Sequence, residues 1–270
     1  MMQCYLCYPK GKYKAVTLSY DDGKISDKRL VEILNRHELK GTFHLNGGLF
    51  SDLTKSTASE RIQSTEVKTL YQNHEVACHT YTHPTIARCP LPVVVDELMK
   101  DRQQLEALVG YPVQGLSYPN GSFTKEIKQL LPALDISYSR TVGSSHDYQL
   151  PTDWYEWQAT CHHNHNLMKH AKQFVDLERS QCLYLFYVWG HSFEFDNDNN
   201  WSLIEEFSQF IGQRQDIWYC TNIEFQRYIT QGKQVVFSVD GKTAFNLSYE
   251  SIWFCLDQRI VELVPGMNEL

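Results

Sequence analysis

A mostly parallel β-sheet covered by helices, open or closed into a barrel and followed by a small antiparallel β appendage, is the fold class this sequence predicts. Three observations carry that expectation. Strand-like and helix-like stretches alternate about seven times over residues 1–231. The run CLYLFYVW at 182–189 is apolar without a break, as expected of a strand buried on both faces. After Gly232 the alternation stops and short β-type runs follow, with Asp240-Gly241 as a hairpin turn. The expected units are residues 1–231 and 232–270.

Taken in order, QCYLCY is an N-terminal strand and KAVTLSY (14–20) the first β-branched run of the alternating part. In SDKRLVEILNRH the residues Leu30, Ile33, Leu34 and His37 share one helical face, with Ser26 or Asp27 as cap. GTFHLN (41–46) is a strand. STEVKTLYQN (64–73) is a helix capped by Ser64 or Thr65. EVACH is a strand, and Pro90 and Gly110 bracket a long helix. GLSYP is a strand, FTKEIKQLLPALD a helix and ISYSRTV a strand. Residues 144–166, rich in His, Asp and Trp, lack periodicity and predict long loops with one short strand. NLMKHAKQFVDLERS, WSLIEEFSQFIGQ and TNIEFQRYITQ are helices, the last capped by Thr221, and DIWYC is a strand.

Composition bounds the function. Hydrophobic residues make up 42% and charged residues 21%, enough for a sizeable core, which excludes global disorder. The balance of 25 basic against 32 acidic residues, a net charge of −7, argues against a uniformly basic nucleic-acid-binding surface. No apolar run reaches the roughly 18 residues of a membrane span. Met1 to Lys14 shows no basic-then-apolar export signal, and the eight cysteines are scattered, several within apolar runs. The expectation is a cytoplasmic protein with reduced thiols. The oligomeric state is left open.

In parallel α/β folds ligands bind at the carboxyl ends of the strands. Four such ends are polar here: Tyr20-Asp21-Asp22-Gly23, then His79 through Pro84, then Pro119-Asn120-Gly121, and Gly190-His191. His79 and His83 alone could be coincidence, and Asp22-Gly23 alone a solvated turn. Placed together after strands, two imidazoles and a carboxylate make a reasonable divalent-cation site with open positions. Adjacent aspartates on a strand point in opposite directions, so Asp21 and Asp22 can divide base and ligand duties.

SYDDG at 19–23, HTYTHP at 79–84, SYPNG at 117–121 and WGH at 189–191 occur in the order found in the polysaccharide deacetylases of the NodB-like type, carbohydrate esterase family four, which this chain resembles over residues 14–230. The resemblance implies a distorted (β/α) barrel. It also implies hydrolysis of N-acetyl, in some members O-acetyl, groups on sugars with a divalent metal, zinc first. By position it makes Asp21 the general base, His191 the general acid, and Asp22, His79 and His83 the ligands of the metal that carries the attacking water. Thr80 would brace the turn between the histidines. The Asn120 backbone N–H would hold the oxyanion, with Tyr118 beside it. A small carbohydrate or amino-sugar substrate follows.

The chain also departs from the family pattern. Leu116-Ser117-Tyr118 lacks the arginine that opens the third motif and orients the base, so another group must orient Asp21. Trp189 stands where a leucine is usual and could widen an aromatic wall for a sugar ring. Asp153 and Trp154 match the family's acid–tryptophan element, with Trp157 competing for that place. Glu194 could pair with His191 or belong to a solvated acidic loop. His146, His162, His163, His165 and His170 fall outside the motifs and read as a polar loop and a helix, or as a second metal site. The alternatives are a hydrolase of a non-sugar linear or cyclic amide, a non-catalytic sugar-binding protein, and a two-histidine-one-carboxylate iron oxygenase.

Overall fold

A computed structural model describes residues 3–50, 60–178 and 180–270 of the chain. Its strands are β1 (Cys4–Cys7), β2 (Lys14–Asp21), β3 (Gly41–Leu45), β4 (Glu75–Cys78), β5 (Gly115–Ser117), β6 (Tyr138–Ser144), β7 (Trp157–Ala159), β8 (Cys161–His162), β9 (Tyr184–Gly190), β10 (Ile217–Tyr219), β11 (Val236–Phe237), β12 (Thr243–Asn246), β13 (Ile252–Leu256), β14 (Arg259–Leu263) and β15 (Gly266–Glu269). Its α-helices are α1 (Asp27–Arg36), α2 (Val67–Leu70), α3 (Leu91–Val109), α4 (Lys125–Leu130), α5 (Leu167–Val175), α6 (Glu194–Asn197), α7 (Trp201–Ile211) and α8 (Asn222–Gly232).

The main sheet is wholly parallel and runs β7-β6-β5-β4-β3-β2-β9-β8, with β10 beside the start of β2. The two ends of that order are neighbours in sequence. Residues 157–159 pair with β6, residues 161–162 pair with β9, and Thr160 N–H donates to Tyr187 O at 2.8 Å between them. One irregular stretch thus joins both edges and closes the sheet into a distorted (β/α) barrel, leaving no exposed row of unpaired backbone groups there.

Strand alternation separates two cores. On β2 the residues Val16, Leu18 and Tyr20 pack outward under α1, α3 and α7, while Ala15 faces a second cluster with Trp157, Tyr187, Trp189 and Phe225 inside the barrel. The inner face is also polar. Thr17 Oγ1 donates to Asn222 Oδ1 (2.8 Å), Tyr187 OH to Ser19 Oγ (3.0 Å) and Thr42 Oγ1 to Glu75 Oε2 (2.9 Å). These bonds satisfy groups that would otherwise destabilise a closed interior. The parity that puts Thr17 and Ser19 inside puts Asp21 inside too, at the carboxyl end.

Helix boundaries follow local chemistry. At α8, Thr221 accepts from Glu224 N–H and Glu224 reciprocates at Thr221 N–H. Gly110 closes α3 in the left-handed region at φ +82°, favoured for glycine. The helix expected over 64–73 is a 3₁₀ turn over Ser64–Glu66 continued by α2 and ends at Leu70, and Gln63, not Ser64 or Thr65, forms the capping box with Glu66. Ser26 does not cap α1; its hydroxyl donates to Asp196 instead. The region 144–166 carries two short strands, β7 and β8, where one was expected.

Beyond α8 lie two antiparallel three-stranded sheets, β11-β12-β15 and β1-β13-β14. The N-terminal strand therefore pairs with the C-terminal segment, Cys4 opposite Leu256, and not with the barrel. No helix among the described residues is long and apolar enough to cross a membrane.

Candidate active site

The carboxyl ends of β2, β4, β5 and β9 meet at one mouth, and each delivers a polar side chain. Asp21 ends β2 on its inner face with 3% of its surface exposed. Asp22 follows at φ +82°, and Thr80 and His83 adopt φ +63° and +60°. Such left-handed backbone disfavours side-chain-bearing residues and persists where surrounding contacts fix it. Here Asn46 Nδ2 donates to His79 O (2.6 Å) and Thr80 O (2.9 Å), while Asp101 accepts from His79 N–H (2.9 Å) and Gly47 N–H (2.6 Å). The turn between the histidines is thus held by Asn46 and Asp101. The Thr80 hydroxyl, buried, has no hydrogen-bond partner among the described residues, so bracing by that side chain is corrected to bracing through its carbonyl.

Asp22, His79 and His83 bring one ligand atom each to within 4.8 Å of the others. His79 Nδ1 lies 2.9 Å from Ser117 O, an acceptor only, which places the ring proton on Nδ1 and leaves the Nε2 lone pair free. Burial, against the attraction of Asp21, holds His79 below the ordinary imidazole value and therefore neutral. Two imidazoles with one carboxylate fit a divalent cation of the zinc type. Arg61 donates to Asp22 O and to Asn46 Oδ1 (3.0 Å), tying this ligand loop together.

Asp21 Oδ1 accepts from Ser117 Oγ (3.1 Å) and lies 3.2 Å from His44 Nδ1, off line for a hydrogen bond. Oδ2 accepts from Arg140 Nη2 and sits 3.8 Å from His79 Nε2. Burial alone would raise this carboxyl. The Arg140 guanidinium, then His79 and His44, overrides that and holds it well below the usual carboxylate range. Arg140 is the group that stands in for the missing third-motif arginine. It is the cross-strand partner of Ser117, on β6 where β5 was searched. Ring parity on β6 could have found it, since Tyr138 and Arg140 share the inner face.

Trp189 lies with its ring 4.3 Å from the Arg140 guanidinium and only 8% exposed, so it packs on the residue that holds Asp21 and does not widen a sugar wall. Tyr118 is 1% exposed, donates to Tyr155 O (2.9 Å) and stacks on Phe123, so its side chain belongs to the core and not to a substrate surface. The Asn120 turn is at the mouth, with φ +56° and its neighbours Gly121 and Ser122 bonded back to Tyr118 O and Pro119 O. Asp153 and Trp154 are elsewhere. Asp153 pairs with Lys128 (2.7 Å) and caps Tyr155 N–H. Trp154 lines a cleft with Gln114, Ser137 and Gln226, at the amino ends of β5 and β6. Trp157 is core, against Tyr187 and Phe225. The acid–tryptophan assignment is therefore corrected: loop aromatics here fill the opposite end of the barrel.

Glu194 is not part of a solvated loop. Its Oε2 accepts from His191 N–H (3.1 Å), its Oε1 faces His191 Nδ1 (3.2 Å), and His162 Nε2 and His163 Nε2 lie 3.1 and 3.2 Å from Oε2. Burial would lower His191, but the Glu194 bond and the Asp21 charge outweigh it and hold the imidazole above its ordinary value. Ser192 next to it donates to the buried Asp27, anchoring the loop to α1. Activity that needs protonated His191 falls as pH rises through its raised value. Glu194→Gln removes the main cause of the rise, so the alkaline limb of kcat/KM moves to lower pH, as a pH–rate profile of the two proteins would record.

Known proteins place this geometry. A family model described as polysaccharide deacetylase matches residues 8–139, which include Asp21, Asp22, His79, His83, Ser117 and Asn120 but stop short of Arg140, His191 and Glu194. A Bacillus subtilis (strain 168) protein named YlxY, described as uncharacterized, is 25% identical over 134 residues, 48% of this chain and 35% of that protein. The Bacillus cereus peptidoglycan-N-acetylglucosamine deacetylase is 27% identical over 111 residues, 39% of this chain and 36% of that protein. The chain thus matches about a third of the length of these curated relatives. Among solved structures, a Mycobacterium smegmatis protein assigned to the polysaccharide deacetylases shares the fold with a TM-score of 0.61 at 15% identity, over 85% of this chain and 94% of that one. The chain is thus similar to the polysaccharide deacetylases over residues 8–139, just under half of its length, and shares the fold of the M. smegmatis protein over 85% of it.

Proposed function

We propose that this protein is a metal-dependent hydrolase removing N-acetyl groups from an amino-sugar-containing carbohydrate. The observation that carries the reading is the pairing of opposites at one mouth. An ionised carboxylate, Asp21, faces the neutral imidazole of His79, and an imidazole held above its ordinary value, His191, stands on the next strand end. Groups pushed apart in this way suit a base and an acid working in one reaction.

Asp22, His79 and His83 would hold the cation, zinc first. When bound it would supply Lewis-acid polarisation of the acetyl carbonyl and of the attacking water. Asp21, fixed by Arg140 and Ser117, is held in the ionised form and takes a proton at Oδ2, the oxygen nearer His79. The Asn120 backbone N–H is offered to the developing oxyanion. His191, with Nδ1 on Glu194, gives the proton at Nε2 to the departing amine. The B. cereus relative's name makes N-acetylglucosamine units the first sugars to try.

The test is acetate release from a panel of N-acetylated sugars and short chito-oligosaccharides by zinc-reconstituted protein, with and without chelator. Chelator-sensitive release, restored by zinc, is expected. Release from O-acetylated sugars alone would move the substrate class. Release untouched by chelator despite complete metal removal would overturn metal dependence.

A further inference from the structure

Besides the Asp22–His79–His83 centre, one other group among the described residues gathers three ligand atoms within 4.8 Å of one another: His162, His191 and Glu194. The three come from adjacent places. His162 ends β8, His191 follows β9, its parallel neighbour, and Glu194 opens α6. We infer that this cluster is a second, weaker divalent-cation site, suited to zinc, and that filling it silences His191. The second half of the inference rests on the proposed role of His191 as the acid; the first half does not.

The donor set is two imidazoles and one carboxylate, the set that suits zinc with positions left for water. The spacing fits as well. His162 Nε2 lies 3.1 Å from Glu194 Oε2, and His191 Nδ1 lies 3.2 Å from Oε1. A tetrahedral ion with bonds of about 2.0–2.1 Å separates its ligand atoms by about 3.4 Å. The carboxylate turns one oxygen to each ring, so both can enter one coordination sphere with little movement of the chain.

A separate observation points the same way. His163 is fully buried, and its Nε2 lies 3.2 Å from the same Glu194 oxygen. Yet neither of its ring nitrogens makes a hydrogen bond among the described residues. Glu194 is thus ringed by three imidazoles, one of them buried and without a hydrogen bond.

The protons explain why the site is the weaker one. Asn164 N–H donates to His162 Nδ1 (3.2 Å), so the neutral ring carries its proton on Nε2, toward Glu194. An entering ion takes the place of both protons: the one on His162 moves to Nδ1, at the cost of the Asn164 bond, and the one on His191 Nδ1 passes to solvent. His191, once coordinated through Nδ1, keeps one proton on Nε2 and releases it far less readily than an imidazolium does. The acid is then lost while the Asp22–His79–His83 ligands stay intact.

Equilibrium dialysis against zinc with metal counting tests the site directly, on wild type, His162→Gln, Glu194→Gln and His83→Ala, each checked for folding by circular dichroism. Wild type is expected to bind one zinc tightly and a second more weakly. His162→Gln and Glu194→Gln should weaken the second by at least about tenfold and keep the first, and His83→Ala should do the reverse. In the acetate assay, excess zinc should inhibit wild type over the range in which the second ion binds, and His162→Gln should need about tenfold more zinc for the same inhibition. One zinc at saturation, or a second ion indifferent to both His162→Gln and Glu194→Gln, overturns the site. Two ions bound as expected by a protein that releases no acetate would leave the site standing and sink the deacetylase reading. An active enzyme with a single ion would do the opposite.

Discussion

Asp21→Asn is expected to lower acetate release by about a hundred- to ten-thousand-fold while the zinc content stays at one tightly bound ion per chain. The amide keeps the shape and an oxygen for the Arg140 guanidinium, but it accepts no proton. The ligands Asp22, His79 and His83 are untouched, so metal analysis separates loss of the base from loss of the metal. Removing the Asp21 charge also withdraws one of the attractions that raise His191, so the residual activity should lose its alkaline limb at lower pH than wild type. Full activity in Asp21→Asn would show that the water's proton leaves by another route, and would remove the assignment of Asp21 as base.

The parts of this site that could be read from the sequence are those whose geometry is set locally. Asp21 and Asp22 lie at the end of one strand, and alternation alone sends them to different sides. His79 and His83 are four residues apart on one turn. The fold was legible for a similar reason: β9 is an unbroken apolar run, and a strand buried on both faces is distinct from a half-buried one. What escaped depends on pairing across the barrel. Arg140 is 119 positions from Asp21, and only the register of β5 against β6 brings it into contact. β8 has two residues and no signal of its own; it is a strand because β9 accepts it, and that pairing carries His162 to Glu194. Asp153 and Trp154 misled because aromatic residues in an aperiodic loop fit a sugar platform and a plug for the barrel's far end equally well.

Arg140→Met should be the most destabilising substitution at this site outside the ligands, and its pH behaviour tells why. In the wild type, the folded state holds Asp21 well below its unfolded value of about 3.9. The stabilisation is present above that unfolded value and is lost as pH falls toward the folded one. Without the guanidinium, burial is opposed by the Ser117 hydroxyl and by His79 and His44, both rings held neutral by their own burial. The folded value of Asp21 then rises above the unfolded one, and the sign reverses. Arg140→Met is least stable at neutral pH, by about 3–5 kcal/mol relative to wild type, and recovers part of this on acidification. Urea midpoints measured from acid to neutral pH should therefore converge as pH falls. The acid limb of kcat/KM should move up in pH as well, because the base is now protonated over part of the working range. Arg140→Lys keeps the charge but not the planar group that lies under Trp189 and also donates to Thr141 O (3.0 Å), so it should rescue only in part. The register supplies a sharper control. Ser117 is the cross-strand partner of Arg140, and its backbone carbonyl, not its side chain alone, orients His79. In Ser117→Arg/Arg140→Ser the guanidinium returns from the neighbouring strand to the same carboxylate. The double variant should regain more activity and more of the wild-type acid limb than Arg140→Ser does. A purely structural role for Arg140 would leave the acid limb of every variant where it was, whatever the stability did.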